Sequence, residues 1–159
     1  MEPDHLSKED SMSAVRQASV IWEGELRSGS GVVTAATSGA FSLLPVTWGS
    51  RTESADGRTS PEELIASAHA SCFAMAFSGG LGRAGTPPER LEVGATVTFD
   101  QVEGGWRVVS SALRVRGRVH GIDNEAFLQA AEAAKDGCPV SQALKGNVVL
   151  SVDAALELD

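Results

Sequence analysis

Cysteine is scarce in this 159-residue chain: only Cys72 and Cys138 occur, far apart and with no C-x-x-C pair. Three histidines, none spaced like a zinc set, argue against a metal site. Positive charge is short as well. Lys and Arg number 13 against 21 Asp and Glu, a net charge of −8, which speaks against nucleic acid or an anionic membrane surface as the main partner. No run is expected to reach the apolar length of a membrane span. The start, Met1-Glu-Pro-Asp-His-Leu-Ser-Lys-Glu-Asp10, lacks the basic-then-apolar layout of a signal peptide. A cytoplasmic location is therefore expected, where thiols stay reduced and a structural disulfide is unusual. No βαβ repeat suggests a nucleotide fold. Gly80-Leu-Gly82-Arg-Ala-Gly85 matches G-x-G-x-x-G by letter, but it lies at a helix exit rather than after a strand.

What is present suits one compact α+β domain, 42% hydrophobic and 21% charged. Residues 1–16 are polar and aperiodic, and are expected to form a flexible arm; residues 17–159 are expected to form a single domain. From Ala18 to Leu26 apolar and polar positions alternate as in a strand with one buried face. Val32–Ala35 and Phe41–Val46 follow as shorter strands, and Ser50–Ser60 as a polar loop. Val93–Phe99 and Leu113–Val119 form an antiparallel hairpin around a turn at Glu103–Gly105, with Arg114, Arg116, Arg118 and His120 on its wet face. Asp123 caps a second helix with Ala126, Phe127, Ala130, Ala133 and Ala134 as its apolar stripe. A last strand runs from Val148 to Leu158. The expectation is antiparallel sheets around a long buried central helix.

That helix begins at Ser60-Pro-Glu-Glu63, which supplies a cap, a proline at the first position and acids at the positive helix start. It extends to about Ala84, and from Leu64 to Phe77 it is apolar or small nearly all round. Cys72 within it reads either as a small hydrophobe or as a reactive thiol. Cys138, between Gly137 and Pro139, occupies a cap position where helix N–H groups favour a thiolate, and this suggests redox use. A buried thiolate needs a cation with its own counter-charge. Arg51 with Glu62 or Glu63 can supply the pair, or these residues are a solvated loop and helix start. His69, on the same helical face as Cys72, is either a base or a core histidine. Phe73, Met75, Phe77 and Leu81 either line an apolar approach to the thiol or are ordinary core.

The segments Ser60-Pro-Glu-Glu-Leu-Ile-Ala-Ser-Ala-His-Ala-Ser-Cys-Phe-Ala-Met-Ala76 and Gly137-Cys-Pro-Val-Ser-Gln-Ala-Leu144 resemble the OsmC/Ohr family of bacterial hydroperoxide-reducing proteins, most of all its osmotically inducible branch. Trp22-Glu-Gly24 and Gly121-Ile-Asp123 match that branch too. The resemblance covers residue 17 to the C-terminus. It implies an intertwined homodimer and a thiol peroxidase without haem, metal, flavin or other cofactor. Its implied site is Cys72 as peroxidatic cysteine, Cys138 as resolving cysteine and an Arg51–Glu62 pair, with Arg58 and Glu63 as second candidates. It also implies a hydroperoxide substrate, organic or hydrogen peroxide, and regeneration of a Cys72–Cys138 disulfide by an external dithiol, of lipoyl type. On Glu62 and Cys72 the helix spacing is demanding: ten residues span about 15 Å, so the carboxylate acts through the arginine or across a subunit boundary. A non-catalytic redox sensor and an apolar-ligand-binding dimer of the same fold are the alternatives.

Overall fold

The computed structural model describes residues 13–157, so most of the expected N-terminal arm lies outside the described residues. The described residues fall into two compact units, one ending at Trp48 and one beginning at Gly49.

The first unit holds a three-stranded antiparallel sheet, β1 (Ser19–Glu23), β2 (Ser30–Thr34) and β3 (Leu44–Val46), in the order β1-β2-β3. Gly24, at φ 90°, ends β1 by entering the left-handed region. The alternation at 18–26 predicts one buried face, but every residue of β1 is exposed, Ile21 by 63%. Among the described residues of this unit no second layer packs on the sheet, so that face has nothing within the unit to be buried against. Among the described residues of this unit, Val33, on the central strand, is the buried hydrophobic one.

In the second unit, α1 (Trp48–Thr52, beginning at the boundary residue) replaces part of the expected 50–60 loop. Next comes α2 (Pro61–Arg83), 23 residues long. Its cap is as the sequence predicts: the Glu63 amide donates to Ser60 Oγ at 3.1 Å. Gly85, at φ 84°, and Pro87-Pro88 stop it. Two expectations about this helix need correction. It is long and apolar enough to cross a membrane by length and composition alone, although the sequence reading finds no such run. It is also not buried all round. Glu62, His69, Phe73, Phe77 and Leu81 form the buried stripe, near the i, i+4 spacing of one helix face, whereas Met75 is 73% exposed.

The stripe packs on a second sheet of order β4-β5-β6: β4 (Arg90–Val102), β5 (Gly105–Arg118) and β6 (Val149–Leu156). The predicted hairpin is present with a bulge at Thr98/Phe99, and Leu113, Val115, Gly117 and Val119 point inward as their parity requires. The expectation of purely antiparallel sheet fails at one edge, because β6 pairs with β5 in parallel. Two helices, α3 (Asn124–Gly137) and α4 (Pro139–Leu144), lie between β5 and β6 and carry the chain back to the same end, as a parallel pairing requires. Asp123 caps α3 by accepting from the Ala126 amide at 2.8 Å. The buried face of α3 is Phe127, Ala131 and Ala134, with Ala126 and Ala133 exposed, so the stripe is rotated from the expected one. Phe73, Phe77 and Phe127 pack as tilted rings through the core, with centroids 5.5 and 5.1 Å apart. Cys138 is part of that core.

Candidate active site

The fold brings Cys72 and Cys138 together. Cys72 lies mid-helix in α2 beside the buried stripe and keeps partial access to solvent. Cys138 lies in the junction between α3 and α4, completely buried, with its amide bonded to Ala134 O at 2.9 Å. Both thiols are free, and Cys72 packs against the core cluster that holds Cys138. Their surroundings differ in sign. Burial pushes the Cys72 thiol up, the neighbouring Cys138 adds to this, and the Val140 amide opposes it. Burial also pushes Cys138 up, but it is outweighed by the Ser141 amide, the Cys72 thiol, the Ser141 hydroxyl and the Val140 amide, leaving Cys138 below the ordinary thiol range. Cys138 stands at the N-cap of α4 without a cap hydrogen bond of ordinary geometry, so these amides act mainly as dipoles aimed at the sulfur. The pair thus holds its first negative charge on Cys138 and its proton on Cys72.

His69 is completely buried one turn before Cys72. Its Nδ1 lies 2.6 Å from Ser111 Oγ on β5 and its Nε2 2.8 Å from Ser141 Oγ on α4. Burial lowers its pKa below the model-compound 6.5, so the ring is neutral at pH 7. Of the two sequence readings, base or core histidine, the geometry is that of the second, because each ring nitrogen is already bonded to a serine. Ser111 and Ser141 are residues the sequence reading missed. A signal existed for both: Ser111 continues the inward parity of 113, 115, 117 and 119, and Ser141 lies one turn beyond Cys138.

Arg51 and Glu62 also meet. Arg51 at the end of α1 donates through Nε and Nη2 to Glu62 Oε1, at 3.0 and 2.8 Å, and Nε lies 3.2 Å from Oε2. Glu62 is buried in the first turn of α2, and the arginine side chain is 29% exposed. The guanidinium carbon lies 4.0 Å above the Phe99 ring, which stacks on Trp106 at 4.9 Å. Arg58 is exposed, and Glu63 instead accepts from Thr59 Oγ1 at 2.7 Å. A cleft of about 490 Å³ opens beside the pair, lined by Arg51, Glu62, Ala66, Val97 and Phe99 among others. Cys72 is not among its lining residues, in keeping with the helical rise of about 15 Å between positions 62 and 72. The remaining sequence candidates divide: Phe73, Phe77 and Leu81 are core, and Met75 projects to solvent.

The family model described as OsmC-like protein matches residues 54–153, which include both cysteines and Glu62. This chain belongs to the OsmC-like family. It is 40% identical over 139 residues to the peroxiredoxin OsmC of Escherichia coli strain K12, covering 87% of this chain and 96% of that one. The organic hydroperoxide resistance protein of Xanthomonas axonopodis pv. citri is 29% identical over 99 residues, 61% of this chain and 67% of the other. Among solved structures, the organic hydroperoxide resistance protein OhrB of Bacillus subtilis superposes with a TM-score of 0.70 at 23% identity, covering 87% of this chain and 98% of its own. At that identity the superposition speaks for the OsmC-like fold alone.

Proposed function

We propose that this OsmC-like protein is a thiol peroxidase that reduces organic hydroperoxides, and hydrogen peroxide, through Cys72 and Cys138. The observation that carries the reading is the pairing of one reachable and one wholly buried free thiol, packed in the same core cluster. A peroxide arriving from solvent meets Cys72 first. Cys138, the more acidic thiol at rest, first takes the Cys72 proton; the Cys72 thiolate so formed attacks one peroxide oxygen, the O–O bond breaks, and the alkoxide takes that proton from Cys138 to leave as an alcohol. Cys72 is then a sulfenic acid and Cys138 a thiolate. Attack of Cys138 on the Cys72 sulfur forms the disulfide and expels hydroxide. An external dithiol, of lipoyl type, returns two electrons and restores the pair.

In this scheme Arg51 is the cation that steadies the Cys72 thiolate, and Glu62 holds the arginine. Within one chain the spacing along α2 keeps the pair from the sulfur, so a second copy, bringing its own Arg51, is part of the proposal. Support for a homodimer comes from apolar surface uncovered in each unit: Val20 and Ile21 in the first, Met75 in the second.

The test is steady-state consumption of cumene hydroperoxide with dihydrolipoamide. Cys72→Ser is expected to abolish turnover, and Cys138→Ser to permit a single oxidation of Cys72 per chain. A wild-type protein that stops after one stoichiometric oxidation is a sensor rather than a peroxidase. Arg51→Lys keeps the charge but loses the forked contact, and is expected to lower kcat/KM about tenfold or more. Arg58→Ala is expected to leave it unchanged.

A further inference from the structure

A one-residue irregularity in the second sheet decides what surrounds Arg51. Along β5 the inward residues are Ser111, Leu113, Val115 and Gly117, all at odd positions. Continued backwards without interruption, that alternation puts Arg107 and Val109 on the inner face. It sends Trp106 to the outer face, with Arg114, Arg116 and Arg118. The bulge prevents this. Thr98 pairs with Ser110 but Phe99 pairs with Val108, so Val109 is an extra residue with no register partner on β4. Beyond it the parity of β5 is inverted. Val108 now faces the side of Phe99, and Arg107 is turned out to solvent. Trp106, two positions on, falls diagonally beside Phe99 on the inner side, and the two rings stack at 4.9 Å and 21°. Phe99 in turn carries the Arg51 guanidinium carbon 4.0 Å above its centroid, at the wall of the cleft that both residues line.

We infer that Phe99 and Trp106 are positioning residues for Arg51, and that the bulge at Val109 is the device that brings Trp106 to them. The inference rests on the peroxidase reading for what Arg51 does to a thiolate, and on the ring contacts and strand register for its geometry.

The physical reason lies in what a carboxylate alone can hold. Glu62 grips the guanidinium by one edge, through Nε and Nη2. Bonds in the plane of the group fix that edge and leave the plane able to tilt about it. An aromatic face restrains the tilt, because its negative potential attracts the cation only while the cation stays over the ring. None of the five residues of α1 is buried, so the arginine side chain is set by what it meets outside its own helix. Phe99 is itself only half-buried, and its ring is steadied by the offset stack on Trp106. Trp106 thus acts on Phe99, Phe99 on Arg51, and Arg51 on the thiolate that attacks the peroxide. A guanidinium held in place before the peroxide arrives costs no reorganisation at the moment of reaction.

The first measurement needs no peroxide. The Arg51 Nε–H is followed as a side-chain nitrogen–proton cross-peak by NMR, where a proton bonded to a carboxylate and close to a phenyl face is shielded and slow to exchange with water. Phe99→Leu, which keeps an apolar side chain and loses the ring, is expected to move this signal downfield and to speed its exchange. Trp106→Leu is expected to speed exchange in the same direction, and Trp106→Phe, which keeps a ring in the stack, to restore it. Folded Phe99→Leu and Trp106→Leu proteins with unmoved exchange overturn the proposal. Single-turnover stopped flow with cumene hydroperoxide then reads the consequence. Both leucine variants are expected to slow sulfenic acid formation about threefold to tenfold, the worth of one cation–π contact, with disulfide formation nearly unchanged. In an Arg51→Ala background they are expected to slow it no further, because nothing is left to position. Equal slowing in both backgrounds is ordinary packing and also overturns the proposal. Failure of the wild type to consume peroxide overturns the peroxidase reading alone, since the exchange measurement stands without it.

Discussion

At the residue scale, the buried imidazole of His69 makes the fold sensitive to pH. His69 is held below 6.5 by burial, so the folded chain binds fewer protons at this position than the unfolded chain between its lowered pKa and 6.5. The sign follows directly. The stability tied to a neutral His69 is complete above 6.5 and is lost as pH falls through 6.5 toward the folded value. Urea midpoints measured from about pH 7.5 down to about pH 5.5 are expected to drop for the wild type and to drop less for His69→Gln. Parallel curves would mean that His69 stays unprotonated in both states or charges freely in both. What was legible at this scale was residue type rather than bonding. Spacing could place His69 on the face of Cys72, but both of its partners come from elsewhere in the chain, Ser111 forty-two residues later and Ser141 seventy-two. Neither hydroxyl could be assigned to the ring before the sheet and α4 had been brought to α2.

At the element scale, capping chemistry and strand parity were readable because each depends on near neighbours. Ser60, Asp123, the 113–119 alternation and the glycine exit of α2 all stand as the local rules require. The direction of β6 and the rotation of α3 were not readable, since they are decided by what the elements pack against. Gly117 shows how tight that packing is. A Cβ built there would lie 2.6 Å from Phe127 Cζ and 3.1 Å from Leu91 Cδ2. Phe127 cannot move aside easily, because it is fully buried against Phe77. Gly117→Ala is therefore expected to destabilise the fold by about 1–3 kcal/mol through overpacking between β5 and α3. Combining it with Phe127→Leu is expected to cost less than the sum of the two single changes, since the smaller side chain frees the space. Urea denaturation of the four proteins measures this coupling, and strict additivity would place the strain elsewhere.

At the scale of the whole molecule, the sequence property that misled most is also the most informative. The apolar and small residues around α2 predict a helix buried on all sides, yet a single chain covers only the stripe that faces the second sheet. The first unit repeats the pattern, with β1 fully exposed and Val20 and Ile21 open to solvent. Both excesses of apolar surface have one physical resolution if the folded unit is two chains. Burial that is missing within one copy is then supplied by the other, and an Arg51 from the second copy is freed from the spacing that separates it from Cys72 along its own helix. Sedimentation velocity at micromolar concentration is expected to give the mass of two chains. Met75→Glu, which sets a charge on the uncovered side of α2, is expected to shift the population toward one chain and to lower peroxide turnover with it. A wild-type monomer that turns over at full rate would remove the second copy from the mechanism. The Arg51–Glu62 pair would then have to reach Cys72 by a movement of α1 within a single chain.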